Sequence, residues 1–558
     1  MLVLVFLAGQ LQAQVNISGQ VVDDSDGSPL PGVTILIKGK NGGNITDIDG
    51  KFKINAEAGD VLTFSFIGYL SQDVAVGSQS ELTISLVQDT QQLDEVVVTA
   101  LGIERETKSL GYAVSEVKGD NLSTAKEINV VYSLSGKVAG VDVNLSAAGP
   151  SGSSTVTIRG KSQLDGSNEP LYVIDGVPMD NRAQSDGAGM WGGYDLGDGI
   201  SSLNSDDIES VSVLKGPSAA ALYGSRASNG VILITTKKGS SRNGLGVEFT
   251  SNATFENVLS RFDDYQTVYG QGRDGQIPTE EDAGNTTQSA WGAKLDPDLT
   301  IPIYNGQMKP YGVVDNNILS FFQTGSTFTN TIALTGGNET ATLRASVSDM
   351  RNKDIVPGAE MMRNTFLLNG SLKLGKNLTV NSKVNYIRES ANNRPALSDN
   401  PNNVGLALLG LAPSFDQKWL SDSYKDEEGN YIDWNGGNIY RINPYWSMNE
   451  MQNKSSRDRV IGYLQLDYRF TDWLSLNLRG GTDFYQSRFT NFYPISTPVW
   501  DTGALEEISR TNREDNYQAM FEISKDFNQF SFSSYLGGNI MTFNAETFSA
   551  AGNGIILE

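Results

Sequence analysis

The sequence has no cysteine and no histidine. Without cysteine there is no disulfide framework, no thiolate metal site and no lipid-bearing cysteine. Without histidine, Ser-His-Asp triads, Cys-His pairs and most zinc sites are excluded. An enzyme would have to run on carboxylate, Lys or Ser chemistry, and the sequence assembles no such set, so no catalytic residue, metal or cofactor is expected. Long apolar runs are also missing. Beyond the first residues no segment approaches the ~20 apolar residues that a membrane-spanning helix needs. Positive charge is scarce, with 42 Lys and Arg against 65 Asp and Glu, a net charge of -23. Such a polyanion is repelled by phosphates, so nucleic acid is not an expected partner.

What is plentiful is glycine, at 59 residues, with aromatics at 9%. Many turns with Tyr and Phe between them predict a mainly β protein. At the start, Leu2 to Ala8 is an apolar run and Leu11-Gln12-Ala13 has the small-residue character of a cleavage site. Residues 1–13 are therefore read as a secretory signal peptide, and the missing basic flank places the true start upstream. An exported chain with no apolar helix is soluble, surface-attached or a membrane barrel.

Residues 15–88 are predicted to form a β-sandwich. Its strands are Ile17 to Val22, Val33 to Ile37, Lys51 to Ile54, Val61 to Phe66 and Leu82 to Leu86, with turns at Ser28 to Gly32 and Thr46 to Gly50. Asp47 and Asp49 lack the alternating oxygen ligands of a calcium loop and are read as turn residues. The stretches Ile17 to Val21, Pro29 to Val33 and Thr46 to Phe52 resemble the carboxypeptidase-regulatory-like domain.

Residues 93–102 follow, with Leu93, Asp94 and Glu95 leading into Val96, Val97, Val98, Thr99 and Ala100. Such a run favours an extended backbone whose edge another sheet can capture. An ordinary strand or linker is the plain alternative. Residues 103–240 mix short strands with one or two helices. The strands are Val156 to Gly160, Leu171 to Pro178, Ile208 to Gly216 and Val231 to Thr236. Pro217 suits a first helical position, Ala219 to Tyr223 a short helix, Gly224 its end, and Asn229-Gly230 a tight turn.

In order and spacing, these motifs resemble the plug of TonB-dependent transporters, and the segment before them resembles the TonB box. The plug residues carried by the resemblance are Arg159, Gly160, Asp175, Gly176, Gly216, Pro217, Gly224, Asn229 and Gly230. Glycines there permit positive φ or close packing. Arg159 is expected to bridge plug to barrel wall rather than touch ligand, since a charge inside such a lumen needs a partner.

From residue 245 to 558 the period is two. Leu464, Leu466, Tyr468 and Phe470 alternate with Tyr463, Gln465, Asp467 and Arg469; Phe366, Leu368, Leu372 and Leu374 do the same around Asn369, Ser371 and Lys373. The pattern fits a barrel that is apolar outside and wet inside, and equally a soluble sheet with one buried face. Short turns at Gly336 to Glu339, Gly375 to Asn377, Thr471-Asp472 and Asp526 to Gln529 alternate with long connections at Glu256 to Ser326, Met350 to Arg363, Glu389 to Asp458 and Thr490 to Asp515. Segregated loop lengths favour the barrel. Nine strands are expected, from near Val247 to near Phe543, against the 22 of plugged transporters. The sequence is thus read as an incomplete record, the first part of a 22-stranded antiparallel transmembrane β-barrel.

With Asn443 to Trp446, Arg457 to Val460 and Phe470 to Leu474, the whole chain resembles the SusC-like TonB-dependent transporters of the outer membrane. That resemblance implies import of a glycan or oligosaccharide, or a peptide, driven by TonB with its ExbB-ExbD energy supply and assisted by a SusD-like surface lipoprotein. The alternatives are a receptor for an iron chelate or vitamin, and a β-rich surface adhesin. Trp191, Tyr194, Trp434 and Tyr440 lie in predicted plug or extracellular loops, where they can stack on sugar faces or simply pack. Gly270 to Gly275 fits the letters of a dinucleotide loop but lacks its strand and helix.

Overall fold

The computed structural model describes residues 14–555, apart from 39–41, 58, 67–68, 78–80, 88–95, 99–103, 107–113, 124–125, 162–167, 184, 190, 217–222, 261, 263 and 528–529. The signal-peptide reading falls outside the described residues. The chain divides into two compact units, the first built on the sandwich and the second on the plug segment and the period-two strands. No helix among the described residues is long and apolar enough to cross a membrane.

The first unit packs two sheets face to face. One pairs Lys51–Glu57, Gln14–Asp23 and Glu81–Leu86; the other orders Gly43–Ile45, Thr34–Ile37, Val61–Ser65 and Gln72–Ala75. Alternation does the work: along Lys51–Glu57 the side chains of Phe52, Ile54 and Ala56 are buried and the lysines exposed. They meet Ile17, Ile35, Leu62 and Phe64 in one apolar core. Gly43–Ile45 and Gln72–Ala75 are strands beyond those expected. Both are short and exposed, so they carry no alternation to read. Asp47 caps its own turn, its carboxylate accepting the backbone N–H of Asp49 (3.0 Å) and Lys51 (2.8 Å).

In the second unit the plug segment centres on a five-stranded sheet in the order Val114–Lys118, Ile208–Leu214, Val231–Thr236, Leu171–Ile174, Val177–Met179. Only the contact between Val231–Thr236 and Leu171–Ile174 is parallel. Leu171–Ile174 and Val231–Thr236, at the centre of this sheet, are buried on both faces, which explains their nearly continuous apolar runs.

Arg242–Glu256 begins a nine-stranded antiparallel sheet that continues through Gly325–Gly337, Ala341–Lys353, Glu360–Leu374, Leu378–Asn392, Gln452–Thr471, Leu474–Tyr493, Ala504–Phe527 and Phe530–Asn553. Each strand pairs with the next in chain order. Pairing extends further outward than the alternation suggests. Ala341–Lys353 and Glu360–Leu374 stay in register up to Lys353↔Glu360, so the expected long connection between Met350 and Arg363 shrinks to 354–359. Polar side chains at the strand ends hide the continuation, because the backbone ladder does not depend on them. The connection expected from Thr490 to Asp515 likewise shrinks to 494–503, and the remaining long ones, 257–324 and 393–451, form a cap with its own core around Phe415, Leu420 and Trp434.

Candidate functional site

Asp175-Gly176 turns the hairpin between Leu171–Ile174 and Val177–Met179, with φ of 48° and 82°. Positive φ at both positions is what a type I′ turn requires, and Asp-Gly supplies it. The turn holds Asp175 in the seam between plug and sheet. Its carboxylate takes Lys383 Nζ of the sheet at 2.5 Å, Thr236 Oγ1 at 2.7 Å and Thr236 N–H at 2.9 Å. A Cβ on Gly176 would collide with the Arg479 guanidinium, which lies over the Tyr463 ring.

Further along the seam the sheet presents arginines to plug main chain. Arg459 pairs with Asp483 (2.6 Å) and donates to the carbonyls of Gly199 (2.9 Å) and Asp180 (3.0 Å); Asp483 accepts the Asp180 N–H at 3.0 Å. Glu389 sits among Arg363, Arg394 and Arg457 at 2.8, 3.7 and 3.1 Å. Arg457 also donates to the Asp198 carbonyl (2.8 Å) and Arg394 to that of Asp195 (3.2 Å). Other charged plug side chains meet the same wall. Asp206 accepts Thr331 Oγ1 at 2.5 Å, Asp207 accepts Ser346 Oγ at 2.6 Å, and Arg226 reaches Glu514 at 2.8 Å. Buried charges persist only when paired and hydrogen-bonded, and here the plug and the sheet satisfy one another. An open recess of about 870 Å³ lies beside this seam, reached by Glu169, Asp180, Arg182, Arg226, Glu514 and Phe543. Burial pushes the Glu169 carboxyl up to about 7.

Several sequence readings change. Among the described residues Arg159 makes no bridge to the wall: it is exposed, has φ 61°, and lies over Gly216, itself at φ 106°. The bridges come instead from sheet residues such as Lys383 and Arg459. Tyr194 and Trp434 are not open stacking surfaces. Tyr194 is 3% exposed and packs on Phe489 at 5.4 Å; Trp434 is fully buried and donates Nε1–H to the Arg441 carbonyl. Trp191 and Tyr440 are exposed, at 78% and 60%. Gly224, at φ 69°, opens a 3₁₀ turn at Gly224–Ala227, where a helix end was expected. Pro217 and the expected helix up to residue 222 lie outside the described residues. Gly160 has φ 85°. Asn229 donates to the Glu169 carbonyl at 3.3 Å, and Gly230, at φ 98°, packs against Ile158 and the Leu214 carbonyl too closely for any Cβ. Val96–Val98 is a strand paired with Glu104–Glu106; Leu93, Asp94, Glu95, Thr99 and Ala100 lie outside the described residues. Sequence reasoning missed Lys383, Arg457, Arg459 and Glu389. Their one signal is charge at inward positions of the alternation.

Residues 17–98 match the CarboxypepD_reg-like domain and residues 106–231 the TonB-dependent Receptor Plug Domain. The TonB-dependent receptor SusC of Bacteroides thetaiotaomicron is 29% identical over 552 residues, covering 96% of this chain and 51% of the relative. A TonB-dependent receptor of Formosa agariphila is 27% identical over 506 residues, covering 88% and 45%. The chain thus spans about half the length of these curated relatives. The fold is that of the RagAB peptide importer in its open-open state, with a TM-score of 0.61 at 20% identity over 82% of this chain and 50% of that one. These relatives are receptors and importers, not enzymes. Over the length it covers, the chain is similar to the SusC-like TonB-dependent receptors.

Proposed function

We propose that the chain forms part of a transporter that imports a nutrient across the outer membrane, a glycan or oligosaccharide or a peptide. Import is powered by TonB and its ExbB-ExbD supply, with a SusD-like lipoprotein at the outer surface. The observation that carries this reading is the nine-stranded sheet that turns charge inward onto the plug and apolar side chains outward. In this reading the sheet belongs to a closed barrel of about 22 strands, as in plugged transporters. The domains run 1–13, signal peptide; 15–88, regulatory-like sandwich; 93–102, TonB box; 103–240, plug; and 245 onward, barrel. An iron-chelate receptor shares barrel and plug. The sandwich and the match to SusC along 96% of this chain favour the nutrient branch.

TonB engagement at Leu93 to Ala100 would use main-chain hydrogen bonds, as strand addition does. Proline lacks the donor and fixes φ. Val97→Pro in the complete transporter is expected to abolish uptake while surface abundance stays normal, and Val97→Thr to be mild. Normal uptake by the Pro variant, or a loss explained entirely by lost protein, removes the TonB-box assignment. Growth of a deletion strain on purified glycans and peptides would then identify the substrate class.

A further inference from the structure

Between Arg394 and Asn402 the cap sends a strand down to the plug. Ala396–Leu397 pairs antiparallel with Gly192–Asp195, the second arm of a plug hairpin whose first arm is Ser185–Gly189. The partners across the joint are Tyr194↔Ala396 and Gly193↔Leu397. Approach is close enough that a Cβ on Gly192, at φ 83°, would strike the Leu397 carbonyl and the Asn400 N–H. Side chains reinforce the backbone pairing. Asn402 Nδ2 donates to the Tyr194 hydroxyl at 2.8 Å, and Tyr194, Leu196 and Ala396 share a small core with Phe489 and Ile508 of the wall.

Both ends of this joint are anchored. On the cap side, Ile442 N–H donates to the Pro401 carbonyl (3.1 Å), and Asn403 caps the Val404–Leu409 helix, whose Ala407 and Leu408 are buried in the cap cores. On the plug side, Asp195 accepts Ser153 N–H and Oγ, and Asp198 accepts Ser154 N–H and Oγ, all within 2.8 Å. Ser154 begins a plug strand, Ser154–Ile158. A displacement of the cap therefore loads the plug through one short, continuous set of hydrogen bonds.

We infer that the Ala396–Leu397 strand is a latch by which the cap holds the plug's outer hairpin closed, and that the latch opens during import. This rests on the transport reading above and adds its regulation. The latch contains two β pairs, the Asn402–Tyr194 hydrogen bond and the Arg394 bond to the Asp195 carbonyl, few enough to break and re-form in each cycle, whereas the buried ion pairs of the seam are costly to part.

The given sequence has no cysteine, so a pair can be introduced cleanly. Tyr194→Cys with Ala396→Cys is made in the complete transporter and followed with a fluorescein-labelled pool of oligosaccharides and peptides. As thiols, the variant imports the pool. After oxidation, or closure with a short bis-maleimide, uptake is expected to fall at least ten-fold with surface binding unchanged, and reductant restores the oxidised form. In the opposite direction, Ala396→Pro is expected to admit vancomycin without TonB. Import by the cross-linked protein at the thiol rate overturns the latch, as does failure of the two cysteines to cross-link. Uptake by the unmodified protein that ignores loss of TonB would instead overturn the transport reading.

Discussion

Along Lys51–Glu57 of the sandwich the buried side chains are Phe52, Ile54 and Ala56, and Lys51 and Lys53 face out. Along Glu360–Leu374 of the large sheet the buried set includes Arg363, Thr365 and Asn369, and Phe366 and Leu368 face out, 43% and 38% exposed. The period is two in both, but the chemistry of inside and outside is exchanged. A water-soluble domain gains by removing apolar surface from water. A wall with hydrocarbon outside gains nothing by hiding its leucines and must instead satisfy every polar group it turns inward. Periodicity therefore identifies a strand, and only the partner of the buried face identifies its solvent.

The sharpest way to break this contrast is to remove one inward charge. Arg459→Leu leaves Asp483 buried and uncompensated, at a cost of about 3–5 kcal/mol. It also deletes two bonds to plug carbonyls. A lower urea midpoint in lipid vesicles, largely recovered by Arg459→Leu with Asp483→Leu, is the expected result. In the sandwich the Lys38–Asp73 pair lies in the open, so Lys38→Leu is expected to leave the midpoint unchanged. Next in size is an outward charge. Leu368→Lys costs about 2–4 kcal/mol if the position faces mid-bilayer hydrocarbon. A Lys53-like tolerance at Leu368 would mean that the outer face meets water.

How much of this was legible follows from what each feature depends on. The outward Phe366, Leu368 and Leu372 announce a strand by themselves, and Asp175-Gly176 and Gly375-Lys376-Asn377 announce turns, because backbone sterics are local. Val231–Thr236 is legible for the same reason. The seam was not, since Arg457 and Arg459 donate largely to main-chain oxygens of Asp180, Asp198 and Gly199, which any residue would offer. Nor was the burial of Trp434: Phe415 and Leu420 precede it in its own connection, but Ile303 comes from the other, far away in sequence. The latch strand is two residues long, too short for any periodicity. The direction of Arg159 is not legible either, because its motif marks the plug without saying which way the side chain turns.

The smallest effect discriminates most finely between the two regions. Ile35 in the sandwich is fully buried, and Ile332 on the large sheet is 51% exposed on the outward face. Ile→Val deletes one methylene at either place. In the sandwich the neighbours Leu62 and Phe64 are themselves packed and move only partly into the gap, so the loss of transfer energy and the residual void together cost about 0.5–1.5 kcal/mol. At Ile332 the surroundings in a bilayer are fluid chains that close over the missing group, leaving no void and exchanging one apolar contact for another. Its cost is expected to stay within about 0.5 kcal/mol. The two variants are compared by denaturant midpoints of their own transitions in vesicles, each against the unmodified protein. Equal losses would show that Ile332 packs against protein rather than lipid, and the large sheet would then be a soluble sheet with a second layer over its outer face.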